Sequence, residues 1–149
     1  MNCSFRRNWA LVALAVMTTP WILGSSCSGP IIPFTGVVPA AAKNLDGTYK
    51  ITATGDGDAS GLPANPTLVI SGGLFTKLGT TTLTPTNVQV NGNNFIWDSA
   101  ATLTRNGTSA TSTVTMNVNL QADGTLTGTM VFGSGGRTSN PLTITLTKQ

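Results

Sequence analysis

The groups that enzymes use for nucleophilic attack and proton transfer are scarce in this sequence. The 149 residues include no His and no Glu, and both cysteines, Cys3 and Cys27, precede residue 28. Ser-His and Cys-His nucleophile pairs therefore cannot form, and the side chains that most often bind transition metals are missing. Five Asp residues remain, and Asp98 is predicted to point away from the face that carries Trp97. We predict that the protein is not an enzyme; a hydrolase that uses Asp side chains is the least favoured hypothesis.

One spacing could bind a cation. Asp56, Asp58 and Ser60 precede Gly61 with the spacing of the oxygen ligands at the start of a calcium loop. The position that normally supplies a bidentate Glu is Thr67, and no helices are predicted beside the loop. The alternative is a solvated loop of turn-forming residues, which we favour. Calcium, bound weakly, is the one cofactor that the sequence suggests.

A second candidate site is apolar. If alternate side chains of the C-terminal strands face inward, they could surround a cavity for a small apolar ligand, or they could form a packed core. A barrel of about eight strands is usually filled by its own side chains, so we favour the core. The residues concerned are Phe95, Trp97, Met116, Met130 and Phe132.

These residues are positioned by a predicted β-hairpin from Asn94 to Leu120. Asn106-Gly107 is a preferred pair for a two-residue turn, because both positions need positive φ. With this turn, Phe95 lies opposite Val118 and Trp97 lies opposite Met116. A slip of one residue would move all of these apolar side chains to the wrong face, so the agreement supports the register.

The next turn can be predicted in the same way. A three-residue loop from Ala122 to Gly124, with Gly124 in the left-handed region, places Met116 opposite Met130 and Val114 opposite Phe132. A two-residue loop would place Leu120 opposite a threonine and break the pattern. The three-residue loop is therefore predicted.

Two earlier turns are predicted with less regular patterns. A two-residue loop at Asn91-Gly92 places Val88 opposite Phe95. A turn at Gly72-Gly73 sets Lys77 across from an apolar residue of the preceding strand, which indicates an irregular or bulged edge strand. Residues 133–140 are predicted to be a connection before the last strand.

These patterns predict an all-β domain, an antiparallel up-and-down meander of about eight strands. Pairing of the last strand, which contains Leu142, Ile144 and Leu146, with the first strand, Thr48 to Thr54, would close a small barrel. A β-sandwich is the alternative. The stretch Leu45-Asp46-Gly47-Thr48-Tyr49 resembles the Gly-x-aromatic opening of lipocalin- and avidin-type barrels, which likewise implies a barrel.

Residues 1–26 have the parts of a secretory signal peptide. Arg6 and Arg7 form a positive start, Ala10 to Gly24 are mostly apolar, and Ser25-Ser26 provide a small-residue exit. The apolar stretch is short for a transmembrane helix and contains Pro20. An uncleaved anchor is the alternative.

The end of this segment, Leu23-Gly24-Ser25-Ser26-Cys27, resembles a bacterial lipoprotein signal. The resemblance implies that Cys27 is lipidated and becomes the new N-terminus, although Leu23 lies four residues before the cysteine instead of three. Lipidation would also explain a cysteine that has no partner once Cys3 is removed with the leader. Cleavage near Ser26 or at the Ala40-Ala41-Ala42 stretch remains the alternative.

The sequence therefore divides into a signal peptide (1–26), a Pro-rich tether (27–43) and an all-β domain (44–149). Several tether residues are apolar enough to pack along the domain or to touch lipid headgroups. They are Ile31, Ile32, Phe34, Val37 and Val38.

Charge excludes one class of partner. After the leader, the chain has five Asp and six cationic residues, a net charge of +1. The cationic residues are Lys43, Lys50, Lys77, Arg105, Arg137 and Lys148. No basic patch with interleaved aromatic residues remains, so nucleic-acid binding is not expected.

We expect a non-catalytic lipoprotein of the bacterial cell envelope, attached to the extracytoplasmic side of a membrane through an N-terminal lipid. It would act as a structural or interaction module with a protein or glycan partner that the sequence does not identify. A carrier of small apolar ligands is the alternative.

Overall fold

A computed structural model of the protein describes residues 31–54, 62, 66–105 and 108–149. Within these residues, one short helix, α1 (Ala40–Lys43), precedes ten strands. These are β1 (Gly47–Thr54), β2 (Thr67–Ser71), β3 (Leu74–Leu78), β4 (Thr81–Thr82), β5 (Thr84–Asn91), β6 (Asn94–Arg105), β7 (Thr108–Leu120), β8 (Leu126–Ser134), β9 (Arg137–Thr138) and β10 (Leu142–Lys148). The prediction of an all-β domain is confirmed.

All ten strands belong to one antiparallel sheet with the order β4-β3-β2-β1-β10-β8-β7-β6-β5, and β9 pairs with β8. The last strand pairs with the first as predicted, and Ile51 lies opposite Leu146. The sheet is not closed, however, because no strand ladder joins its two ends. These ends are β4 and β5, which follow one another in the chain.

The strand registers predicted for β6, β7 and β8 are confirmed, whereas the predicted turn residues Asn106 and Gly107 lie outside the described residues. Trp97 lies opposite Met116, and Met116 lies opposite Met130 across the next pair. Gly124 has a φ of 84°, as the three-residue loop requires. Alternate residues of these strands therefore face one shared core.

The predicted register of β5 and β6 is wrong by two residues. Val88 pairs with Trp97 and Val90 pairs with Phe95, so the loop consists of Gly92 and Asn93. Gly92 has a φ of 60°. Because side chains alternate with a period of two, this shift leaves the same residues facing inward.

The irregularity predicted for the edge strand β3 is present. Ile70 pairs with Phe75, whereas Val69 pairs with Lys77 and Leu68 with Leu78, so the register shifts within the pair. The shift places Leu78 opposite Leu68 and leaves Lys77 exposed. Residues 133–140, predicted to be a connection, instead contain the end of β8 and the short strand β9.

Inward-facing side chains form a single hydrophobic core. Large side chains that are fully buried include Tyr49, Leu68, Phe75, Trp97, Met116, Leu126, Met130, Leu142, Ile144 and Leu146. They come from β1, β2, β3, β6, β7, β8 and β10, so strands from both ends of the sheet pack on the same core.

The sheet curls until β3 lies beside β5 and β6. We call this opening between β3 and β5–β6 the seam. Side chains bridge it: the Trp97 indole N–H donates to the Gly73 carbonyl at 2.8 Å, and the Ser99 hydroxyl donates to the Phe75 carbonyl at 2.7 Å. Hydrogen bonds from side chains thus replace the missing ladder.

Candidate functional site

Four of the residues predicted to have a role lie outside the described part of the chain. They are Cys27, the predicted lipid attachment site, and Asp56, Asp58 and Ser60, the predicted calcium ligands. These assignments stay predictions.

The five residues proposed as walls of an apolar ligand cavity lie in or against the core. Trp97, Met116 and Met130 are fully buried, Phe95 is buried, and Phe132 is partly buried against them. The rings of Phe95 and Trp97 stack with centroids 5.4 Å apart. The indole N–H of Trp97, its one polar group, already donates to the Gly73 carbonyl.

Three carboxylates are described, and each accepts hydrogen bonds from nearby groups. Asp46 accepts from the backbone N–H groups of Gly72 and Gly73, at 2.8 and 2.6 Å. These bonds fix the β2–β3 turn to the start of β1. The Asp46 carboxylate therefore stabilises the β2–β3 turn.

Asp98 lies on the outer face of β6, as predicted. It accepts from the Thr115 hydroxyl at 2.6 Å and from the Asn87 amide at 3.0 Å. Asp98 therefore links the outer faces of β5, β6 and β7.

Asp123 lies in the turn between β7 and β8. It accepts from the hydroxyl and the backbone N–H of Thr125, and these bonds hold the pKa of the Asp123 carboxyl below its ordinary value. Within the described ranges, no three or more Asp or Cys side chains cluster as metal ligands would.

An open groove of about 690 Å³ lies on the outer surface beside the seam. One wall is the N-terminal segment 31–36, and the other is formed by residues of β5, β6 and β7. The lining residues from the strands are Thr86, Asn87, Ala100, Thr111 and Thr113. Apolar carbon thus faces hydroxyl and amide groups, and no charged side chain lines the groove.

The N-terminal segment is held in place by defined contacts. The Phe34 N–H donates to the Pro85 carbonyl on β5 at 2.7 Å, and the side chains of Phe34 and Val38 pack against the core. Val38 also approaches Gly73 of the β2–β3 turn. Residues 34–38 therefore connect β5 with the β2–β3 turn across the seam.

The outer side of the same segment is apolar and exposed. Ile32 is 75% exposed and Val37 is 92% exposed, and they are the exposed large hydrophobic residues among those described. The apolar composition of residues 31–38 was the sequence signal for this surface. Sequence alone did not show that Phe34 and Val38 turn inward while Ile32 and Val37 remain outside.

Comparison of the chain with protein-family models, with curated proteins and with solved structures finds no significant match. Among the described residues, no helix is both long and apolar enough to cross a bilayer.

Proposed function

We propose that the protein is an exported, non-catalytic lipoprotein of the bacterial cell envelope, attached to a membrane by lipid at Cys27. Its β domain would serve as a structural or interaction module. The observation that carries this proposal is that each of the three described Asp side chains, Asp46, Asp98 and Asp123, accepts hydrogen bonds from neighbouring groups of the fold.

The carboxylates support this view most directly. Asp46 and Asp98 bind neighbouring donors at 2.6 to 3.0 Å, and Asp123 binds Thr125 within its own turn. A hydrolase of the glycosidase type needs two carboxylates that face one substrate across a cleft. Asp46, Asp98 and Asp123 lie on three different elements, each with its own local partners.

The packed interior favours a structural module over the alternative, a carrier of small apolar ligands. Trp97, Met116 and Met130 are fully buried in the same core. Phe95 and Trp97 stack on each other, so the aromatic faces that a ligand would contact are already covered. A ligand in this interior would have to displace these contacts.

Packing of the N-terminal segment supports cleavage at Cys27 over cleavage within Ala40-Ala41-Ala42. Cleavage after Ala42 would remove Phe34 and Val38 from the core, and it would also remove Ala42, which is fully buried. Apolar surface covered in the folded protein would then be exposed to water.

Intact-mass analysis of the N-terminus tests the anchor. The full chain is expressed in a bacterium, the membrane fraction is extracted with detergent, and the mature N-terminal peptide is identified. We expect a peptide that begins at Cys27 and carries acyl chains. Cys27→Ser should abolish the acylated product, whereas Cys3→Ser, the matched control within the leader, should leave it unchanged. A mature N-terminus at Lys43, or an unmodified Cys27, would contradict the proposal.

A further inference from the structure

We propose that the exposed side chains of Ile32 and Val37 dock the domain on the lipid bilayer, so that the protein lies against the membrane surface. We call these two residues the apolar patch. The inference rests on the proposed lipidation of Cys27 and adds to it a second, non-covalent contact with the same membrane.

The patch lies on the exposed side of a segment that is attached to the domain. The hydrogen bond from the Phe34 N–H to the Pro85 carbonyl fixes the segment between the two patch residues, and inward packing of Phe34 and Val38 fixes it further. Helix α1 continues this attachment, because Ala42 is fully buried in the core. Val37 therefore stays on the outer side of a segment that is held at Phe34 and at Val38, and Ile32 lies two residues before the first of these contacts.

The patch also differs from the rest of the outer surface. Outward positions of the strands carry mainly threonine and asparagine, for example Thr113 and Asn117 on β7 and Thr143 on β10. Transfer of an exposed isoleucine or valine side chain from water to an apolar environment lowers the free energy. Among the described residues, large hydrophobic side chains are exposed only in this segment, and exposed apolar surface of this kind is typical of a contact site.

Chain length limits how far Ile32 can lie from a membrane that holds Cys27. Five residues lead from Cys27 to Ile32, and five residues span at most about 18 Å when fully extended. An acylated Cys27 lies at the bilayer interface, so Ile32 must lie within this distance of the lipid. This upper limit is similar to the thickness of the hydrocarbon core of one leaflet, about 15 Å.

Charge favours lipid over a water-facing position. No charged residue occurs from Ser28 to Ala42, so the segment can approach the bilayer without removing an ion from water. The first charge that follows is the exposed Lys43, and a cation at this position suits the anionic headgroups of bacterial membranes.

A single fluorescent label can report the docking. The chain has no cysteine after Cys27, and an acylated Cys27 has no free thiol. Val37→Cys therefore gives one reactive thiol for an environment-sensitive dye, and Ile32→Cys gives a second, independent position. Thr143→Cys is the matched control, because Thr143 is exposed on β10 in the middle of the sheet.

The acylated variants are placed in protein-free vesicles of phosphatidylethanolamine and phosphatidylglycerol. At positions 32 and 37 we expect a blue shift of the emission, quenching by spin-labelled lipid and loss of quenching by aqueous iodide. At position 143 we expect the emission of the free dye and full quenching by iodide.

The outcomes separate the docking from the anchor. If mass analysis shows acylation but labels at 32 and 37 remain as accessible to iodide as the label at 143, the docking is wrong and the anchor stands. Shielding that requires another envelope protein would assign the patch to a protein partner and also overturn the lipid proposal. Absence of acylation would overturn the anchor, and the docking with it.

Discussion

Hydrogen bonds of individual side chains allow the sheet to remain open at the seam. Trp97 and Ser99 on β6 donate to carbonyls at positions 73 and 75, which a closing strand would otherwise satisfy. Among the described residues, no buried side-chain nitrogen or oxygen lacks a hydrogen-bond partner. Unpaired carbonyls at an open sheet edge can pair with another chain and cause aggregation. The bonds from Trp97 and Ser99 occupy two of these carbonyls, so both residues are required at their positions.

Ser99→Ala tests this role of the seam. The substitution removes the donor to the Phe75 carbonyl while leaving the buried volume nearly unchanged, so the free energy of unfolding should fall by about 1–3 kcal/mol. Urea unfolding monitored by Trp97 fluorescence measures the change. Ser134→Ala, at an exposed position on β8, should change it by less than about 0.5 kcal/mol. Equal effects of the two substitutions would show that the bond contributes nothing.

Tyr49 predicts a loss of stability at high pH. Burial, followed by the negative charge of Asp46, raises the pKa of the Tyr49 hydroxyl above its ordinary value of 10.0. The hydroxyl donates to the Leu45 carbonyl at 2.6 Å, and Lys148 lies 6.0 Å from the ring centroid. The folded state therefore holds this proton more tightly than the unfolded state does. The stabilisation is complete below pH 10 and is lost as the pH rises through the raised pKa.

Unfolding in urea between pH 9 and the raised pKa measures this effect, and tyrosinate absorbance reports ionisation because Tyr49 is the only tyrosine in the chain. Tyr49→Phe should be less stable at neutral pH, but its stability should decline less over the alkaline range. A parallel decline in both proteins would attribute the alkaline loss to the lysines instead.

Strand β8 approaches its neighbour β7 closely at one glycine. It pairs with β7, β9 and β10, and Gly128 lies opposite both Val118 and Ile144. A Cβ atom at Gly128 would strike the Asn117 carbonyl oxygen and the Val118 Cα. These are backbone atoms that cannot rotate away, so glycine is required where β7 and β8 approach.

Gly128→Ala should therefore lower the free energy of unfolding by about 1–3 kcal/mol, as overpacking generally does. Gly133→Ala on the same strand is the control. Its Cβ would meet the Thr113 hydroxyl, which belongs to an exposed side chain that can change rotamer, so the effect should stay within about 1 kcal/mol of zero. Thermal unfolding monitored by circular dichroism compares the two. A larger loss for Gly133→Ala would contradict the assigned approach.

At the scale of the whole molecule, the N-terminal segment covers the seam that the open sheet leaves between β3 and β5–β6. Phe34 and Val38 cover the seam from outside, between Pro85 on β5 and Gly73 at the β2–β3 turn. Because the two ends of the sheet follow one another in the chain, a segment from outside the meander is well placed to cover the gap. Residues proposed as the membrane contact are thus part of the folded domain.

Phe34→Ala should destabilise the domain by about 2 kcal/mol, somewhat less than the loss of a fully buried Phe. Val37→Ala, three residues later and 92% exposed, should change the stability of the lipid-free protein by less than about 0.5 kcal/mol. Urea unfolding in the absence of membranes measures both. Similar midpoints for the two variants would show that the segment does not cover the core.

The sequence by itself determined which faces of the C-terminal strands are buried and how most hairpins pair. Turn glycines and two-residue alternation are local properties, so the registers of Trp97 with Met116 and Met116 with Met130 followed from them. The β5–β6 register did not, because loops at Asn91-Gly92 and Gly92-Asn93 bury the same faces. Tertiary contacts decide between them: the Asn93 carbonyl accepts from the Leu120 N–H, and the Asn94 amide binds β7.

Only the tertiary structure decided where the sheet ends, what crosses the seam and which apolar residues of segment 31–38 face outward. Each of these depends on groups far apart in the chain, such as Trp97 with Gly73 and Phe34 with Pro85. Alternation within a strand specifies a face but not the distant strand that the face will meet. The groove and the apolar patch arise at such meetings, and the sequence showed only that the residues of segment 31–38 are mostly apolar.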